Sequence, residues 1–176
     1  MSLFQNKNVK PMLIKNKQTA FNDENWIYEL KLDGCRCIAY LDINETDLRN
    51  KRDMSLIQKF PELVDINKSI SKRCILDGEL IILRNGVPDF YELQRRTLLS
   101  DPFKIRLAAT QLPASFVAYD CLFLSDREIT KLPLMERKEC LNSALRLEDS
   151  RIAISRYIEK NGIGLYQLAE ERQLEG

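Results

Sequence analysis

A lysine, an Asp-Gly pair and an arginine lie within the six-residue segment KLDGCR, at positions 31–36. A lysine amine is a nucleophile that can form a covalent bond with an electrophilic substrate such as a phosphate. Glycine lets the backbone approach a nucleotide closely, and arginine binds phosphate oxygens in pairs. The segment therefore predicts that Lys31 attacks a phosphate, that Asp33 and Gly34 orient its loop, and that Arg36 contacts the phosphate.

Composition narrows the chemistry further. The 176 residues include no histidine, which excludes Ser-His and Cys-His nucleophile pairs and histidine acid–base catalysis. The five cysteines lack metal-ligand spacing, so free thiols in a reducing compartment are favoured over a zinc site. A net charge of +1 makes no overall case for nucleic acid, so any DNA contact must come from local basic clusters. No apolar run is long enough to span a membrane.

Hydrophobic patterning predicts a mixed fold. Strands are expected over residues 26–32, 35–42, 74–76, 79–83 and 115–124, with the sheet continuing near residues 45–48. Helices are expected from Leu56 to a break at Pro61, and over residues 91–99, 134–147 and 165–172. Asn85-Gly86 is typical of a hairpin turn. Short connections favour antiparallel pairing, so the chain is predicted to be α+β, with antiparallel sheets flanked by helices.

Further segments accompany the lysine motif in a fixed order. They are WIYEL at 26–30, RN at 49–50 with an aspartate at 53, LDGELI at 76–81 and FVAYD at 116–120. With KLDGCR they resemble the nucleotidyltransferase (adenylation) domain of ATP-dependent DNA ligases, which implies an ATP-grasp-like α+β fold. The segments PML at 11–13, DF at 89–90, QRR at 94–96 and LPLMER at 132–137 are similar to the bacterial end-joining branch, ligase D.

This resemblance implies a covalent mechanism and a nucleotide site. The amine of Lys31 would attack the α-phosphate of ATP, release pyrophosphate and carry AMP as a phosphoramide. Glu29 would accept a hydrogen bond from the adenine amino group, and Tyr119 would stack on the base. Glu79 would touch the ribose or a metal ion. The implied nucleotide-binding residues are Glu29, Leu30, Lys31, Arg36, Arg49, Glu79 and Tyr119.

The later steps of the family reaction imply DNA and a metal ion. AMP passes to a DNA 5′-phosphate, and the 3′-hydroxyl then displaces it to seal the nick. ATP and Mg²⁺, or Mn²⁺, are the implied cofactors, with Glu79 and Glu175 as metal ligands. DNA contacts are expected from Arg49, Arg52, Arg95 and Arg96. The implied partners are nicked or broken duplex DNA and end-joining proteins in the bacterial cytoplasm, at the nucleoid, without a membrane.

Residues 11–176 are expected to form part of an adenylation domain, after an N-terminal extension or vector-derived start at residues 1–10. Leu174-Glu175-Gly176 fits the opening of the next family motif, although such an ending is also typical of a vector remnant. The rest of the domain and its OB-fold are expected to be missing, and such a fragment to seal DNA poorly. Two alternatives stay open. One is an RNA ligase or capping guanylyltransferase, and the other is a catalytically inactive protein that binds nucleic acid or a partner.

Overall fold

A seven-stranded sheet and a separate two-stranded sheet organise the protein. The computed structural model describes residues 3–13, 18–146, 149–172 and 174. The strands are β1 (Ile27–Glu29), β2 (Cys35–Asp42), β3 (Glu45–Asn50), β4 (Cys74–Arg84), β5 (Val87–Pro88), β6 (Ala114–Leu124), β7 (Arg127–Glu128), β8 (Ile152–Ile154) and β9 (Tyr157–Glu159). The helices are α1 (Leu3–Asn6), α2 (Phe90–Leu98), α3 (Pro102–Gln111), α4 (Leu134–Ala144) and α5 (Gly162–Glu171). Two 3-10 helices, Pro61–Leu63 and Ile66–Ser69, precede β4.

The large sheet is almost entirely antiparallel. Its strand order is β3-β2-β4-β6-β7, with β5 paired to β4 and β8 added parallel to β6. The small sheet contains β1 and β9, in antiparallel register with Glu29 opposite Tyr157. Helix α4 packs on β6 and helix α2 on β4. The predicted α+β class with antiparallel sheets and outer helices is therefore confirmed.

The two faces of the large sheet differ in chemistry because successive side chains of a strand point to opposite sides. On one face, Ala39, Leu76 and Phe116 belong to the main hydrophobic core, which also includes Leu141 of α4. On the other face, a smaller hydrophobic cluster contains Phe4, Ile38, Tyr40, Ile75 and Phe123. Beside this cluster the second face carries Arg36, Asp77 and Glu79, and these side chains form the floor of the cavity described below.

Two of the strand predictions were wrong in instructive ways. Strand β1 does not pair with β2 across the Asp33-Gly34 turn; it pairs with β9, which lies about 130 residues later in the chain. The second Asp-Gly pair, Asp77-Gly78, is not a turn but lies inside β4, which is continuous from Cys74 to Arg84. The register between β4 and β6 shifts at this point, so the polar pair marks a bulge in the ladder.

The helix predictions were better, with two omissions. The helix expected near Leu56 is replaced by turns and the two 3-10 helices, because Pro61 stands at the first of these. Helices α2, α4 and α5 lie where they were expected. The short helix α1 was not predicted, and neither was α3. Its start is nonetheless encoded: Asp101 caps the helix by accepting from Phe103 N, and Pro102 occupies the first turn. Within the described ranges, none of the helices has the length and apolar character to cross a bilayer.

Candidate functional site

The predicted nucleotide-binding residues, except Arg49, surround one open cavity. This cavity has a volume of about 680 Å³ and lies on the charged face of the large sheet. Its walls include the segment after β1 and residues 9–13 near the N-terminus. The predicted residues that line it are Glu29, Leu30, Lys31, Asp33, Gly34, Arg36, Glu79 and Tyr119. A second cavity of about 670 Å³ lies against α5 and shares Glu29, Leu30 and Lys31 with the first.

Lys31 occupies the short connection between the two sheets. The chain leaves β1 at Glu29 and enters β2 at Cys35, so residues 30–34 cross from one sheet to the other. Gly34 makes this crossing possible, since a Cβ atom there would stand 2.4 Å from the Leu80 carbonyl oxygen of β4. The close approach holds the crossing against the large sheet, and the exposed side chain of Lys31 lines both cavities.

Arg36 is fixed by a buried carboxylate that sequence analysis did not assign to the site. Its Nε and Nη2 donate to the two oxygens of Asp77, each at 2.7 Å. Burial raises the pKa of the Asp77 carboxyl, and the bond to Arg36 offsets part of that rise. The guanidinium carbon lies 5.1 Å from the centre of the Tyr119 ring. Arg36 is thus held in one plane on the cavity floor, where Nη1 can donate to a phosphate or ribose oxygen.

Glu79 lies two residues after Asp77 on β4 and faces the same cavity. It is 9% exposed and lies opposite Arg36 in the register of β2 and β4. The hydroxyl of Tyr119 donates to its Oε2 at 3.3 Å. Burial raises the pKa of the Glu79 carboxyl to about 7, despite the opposing effect of the Arg36 charge and the Tyr119 hydrogen bond. A buried carboxylate that is costly to ionise is suited to binding a cation or a hydroxyl group.

We expect Glu79→Gln to stabilise the nucleotide-free, metal-free protein at about pH 8 by about 1–2 kcal/mol. The folded pKa of Glu79, about 7, lies above its ordinary value of 4.5, so the folded state holds this proton more tightly. The contribution of Glu79 to stability is therefore complete below the ordinary value and is lost as the pH rises through about 7. Urea unfolding in EDTA, at about pH 5 and about pH 8, measures both proteins. An advantage of the glutamine variant that is equal at both pH values would contradict the prediction.

Glu29 is already bound to a lysine from α4. The Nζ atom of Lys138 donates to Oε1 of Glu29 at 2.7 Å, and Lys138 is 3% exposed. Nothing in the sequence motifs pointed to this lysine. Its position in the sequence could nonetheless have indicated a buried lysine, because Lys138 lies three residues before Leu141, on the face of α4 that is otherwise apolar.

A second arginine–carboxylate pair borders the cavity. Arg137 donates through Nε and Nη2 to Asp120 at 2.7–2.8 Å, and both residues line the cavity wall. The strand register places Asp120 opposite Asp77, so two carboxylates on neighbouring strands are each paired with their own arginine. Sequence analysis placed both residues in family-like segments but gave neither a role.

The four arginines predicted to bind DNA lie in different environments. Arg49 lies outside the cavity lining and pairs with Asp47 at 2.8 Å and Asp53 at 2.9 Å. Arg52 and Arg95 are exposed, and Arg95 pairs with Glu92 within α2. Arg96 is completely buried, so it has no surface with which to contact DNA. That part of the prediction is corrected: the Arg96 guanidinium is buried against the Glu62 carboxylate and the Phe60 ring instead of facing solvent.

The residues available for a metal ion are few. In the part of the chain that the structure describes, no group of three or more acidic or cysteine side chains is arranged to hold a metal ion. Glu175, predicted as a metal ligand, lies outside the described residues. Magnesium, however, is usually held by one or two carboxylates together with water and substrate phosphates. The buried carboxylate of Glu79 fits that more limited requirement.

Comparison with known sequences identifies a single family. A family model described as an ATP dependent DNA ligase domain matches residues 9–176. A DNA ligase-like protein, LigB, derived from the SPbeta prophage of Bacillus subtilis, is 34% identical over 169 residues. That alignment covers 96% of this chain and 58% of the relative. DNA ligase C of Mycobacterium tuberculosis is 36% identical over 138 residues, covering 78% of this chain and 38% of the relative. The chain thus spans little more than half the length of the first relative, and less of the second.

Solved structures show the same fold at lower identity. A mycobacterial DNA ligase D complexed with ATP and MES superimposes with a TM-score of 0.78 and 21% identity. The match covers 97% of this chain and 53% of that one. The ligase domain of LigD from M. tuberculosis superimposes with a TM-score of 0.77. Almost the whole chain therefore adopts the fold of about half of these ligase structures.

Proposed function

The chain belongs to the ATP-dependent DNA ligase domain family, and we propose that it forms the adenylation centre of such a ligase, with Lys31 as the nucleophile. The observation that carries the proposal is the position of Lys31 on a cavity floored by Arg36, Glu79 and Tyr119. In the proposed first step the neutral Nζ attacks the α-phosphorus of ATP. A phosphorus–nitrogen bond forms, the bond to the pyrophosphate oxygen breaks, pyrophosphate leaves with the electron pair, and the nitrogen releases one proton to solvent.

The surrounding side chains are assigned roles that suit their geometry. Tyr119 would stack on the adenine, an interaction typically worth about 1–3 kcal/mol for a nucleobase. Glu29 would accept from the adenine amino group through Oε2, since Oε1 already accepts from Lys138. Arg36, held by Asp77, would bind a phosphate or ribose oxygen. The main chain of Leu30 and the Asp33-Gly34 segment would position the nucleotide against the sheet.

Magnesium, or manganese in its place, fits the centre if the protein and the nucleotide phosphates hold the ion together, rather than protein side chains alone. When bound, it would neutralise charge on the phosphate oxygens during attack. Glu79 is the described residue that would hold it, and Glu175 remains a proposed second carboxylate. Burial raises the pKa of Glu79 to about 7, and a cation bound beside it would favour the ionised form that serves as a ligand.

The proposed substrate of the later steps is nicked or broken duplex DNA. AMP would pass from Lys31 to a 5′-phosphate, and the 3′-hydroxyl would then displace AMP and join the strands. Arg52 and Arg95 are exposed and are proposed to contact the phosphate backbone. Arg49 would have to release Asp47 or Asp53 before it contacts DNA. Such a substrate would place the protein at the bacterial nucleoid in the cytoplasm, with end-joining proteins as its proposed partners.

The test is to incubate the full-length protein with ATP labelled at the α-phosphate and magnesium, and to map the labelled residue by peptide mass spectrometry. We expect one adenylated peptide, carrying the label on Lys31, and transfer of that label to nicked duplex DNA. Parallel reactions with labelled GTP and with nicked RNA test a capping enzyme and an RNA ligase. A label on another residue would refute Lys31 as the nucleophile. The absence of any label would refute the proposal and favour an inactive nucleic-acid-binding protein.

A further inference from the structure

Lys138 is a buried cation on an otherwise apolar helix face. It is 3% exposed and precedes Leu141 and Ala144, the other buried residues of α4, and both of these belong to the main core. A lysine at such a position is unfavourable unless a carboxylate pairs with it, and an apolar residue would normally serve packing as well or better. The side chain therefore calls for an explanation beyond the stability of α4.

The partner of Lys138 belongs to the nucleotide cavity. Its Nζ lies 2.7 Å from Oε1 of Glu29 and 5.7 Å from the ring centre of Tyr157. Glu29 and Tyr157 are direct partners across the β1–β9 ladder. The ammonium group thus rests on this cross-strand pair, and α4, which packs on the large sheet, fixes a side chain of the small sheet.

We propose that Lys138 is a positioning residue that sets the nucleobase specificity of the cavity by holding the carboxylate of Glu29. This inference rests on the function proposed above. With Oε1 bound to the ammonium, the plane of the carboxylate is fixed and Oε2 is presented as an acceptor. The amino group of adenine can donate to such an acceptor, whereas guanine carries a carbonyl oxygen at the same edge and is repelled. A carboxylate that can rotate loses this discrimination.

The experiment measures initial rates of protein labelling by ATP and by GTP in the full-length protein. For Lys138→Met we expect KM for ATP to rise about tenfold and the ATP-to-GTP ratio of kcat/KM to fall at least about tenfold. The value of kcat for ATP should change much less, because Lys31 and Arg36 are untouched. Lys138→Arg, which keeps the charge and the donor, should restore most of the ratio.

Two comparisons separate a positioning role from a merely structural one. Glu139→Gln alters the exposed neighbour of Lys138 on the same helix, and it should leave KM and the ratio unchanged. Glu29→Gln should lower the ratio as Lys138→Met does, and adding Lys138→Met to it should lower the ratio no further. Thermal unfolding shows whether each variant folds. If Lys138→Met does not, Lys138→Gln gives the same measurement with a neutral donor in place of the charge.

The outcomes distinguish this inference from the proposed function. Absence of label from the wild-type protein would refute the proposed function itself. A labelled wild-type protein whose ATP-to-GTP ratio is unchanged in folded Lys138→Met would overturn the role of Lys138 and leave the proposed function standing. A ratio that falls in Lys138→Met but not in Glu29→Gln would also overturn it, because the lysine would then act without the carboxylate.

Discussion

Replacing Lys31 by alanine is expected to abolish labelling of the full-length protein by α-labelled ATP, with a fall of at least about 10⁴-fold in the rate of adenylation. The alanine variant has no amine with which to form the phosphorus–nitrogen bond, and transfer of AMP to DNA starts from that bond. Lys31→Arg should be equally inactive, because a guanidinium keeps the positive charge but remains protonated and is not a nucleophile. Since Lys31 is exposed, both variants should fold normally.

Two control measurements would show that the effect is specific to Lys31. Lys68→Ala removes another exposed lysine, far along the chain beside Asp65, and should label at the wild-type rate. If chemically adenylated nicked DNA is supplied, Lys31→Ala should retain some joining, because strand closure does not need the amine. Continued attachment of label to Lys31→Ala would contradict the assignment. Loss of label together with a large drop in melting temperature would show that Lys31 supports the fold instead.

Much of the cavity could be predicted because its residues lie on strands with a regular period. Arg36 and Ile38 share one face of β2, and Asp77 and Glu79 share the corresponding face of β4. Once the two strands pair in this register, these side chains become neighbours, independently of the rest of the fold. Tyr119 reaches the same face because the β4–β6 register shifts beside it. That bulge could not be deduced from local sequence, so the position of Tyr119 depended on family resemblance.

Contacts between distant segments were not predictable in the same way. The pairing of β1 with β9 and the bond between Lys138 and Glu29 join segments separated by more than 100 residues. Neither segment carries a local signal for the other, since a three-residue strand and a single lysine fit many partners. Whether a charged residue faces solvent or the interior was hardest to predict, for the same reason. Arg95 and Arg96 are adjacent in sequence, but the helical turn points one to solvent and the other into the core.

Arg96 holds three segments of the protein together. Its guanidinium donates to both oxygens of Glu62, at 2.5 Å and 3.0 Å, and to the Lys59 carbonyl oxygen at 2.9 Å. It also lies 4.6 Å from the centre of the Phe60 ring. Glu62 in turn accepts from the backbone N–H of Ala114, at the start of β6. Helix α2, the first 3-10 helix and β6 therefore converge on one buried ion pair.

Arg96→Met is accordingly expected to destabilise the protein by about 3–5 kcal/mol, because it leaves the carboxylate of Glu62 buried without its cation. For a domain of this size, such a loss lowers the melting temperature by roughly 10 °C. Arg95→Met is the matched control: it removes only an exposed pair with Glu92 and should change stability by less than about 0.5 kcal/mol.

A second substitution separates the buried charge from the lost packing of the arginine. Adding Glu62→Gln to Arg96→Met removes the unpaired charge and should recover part of the loss, which calorimetry or urea unfolding can measure. Equal stability of the Arg95→Met and Arg96→Met variants would contradict this account. It would mean that Arg96 is solvated in solution, and the excluded role of this arginine in binding DNA would then have to be reconsidered.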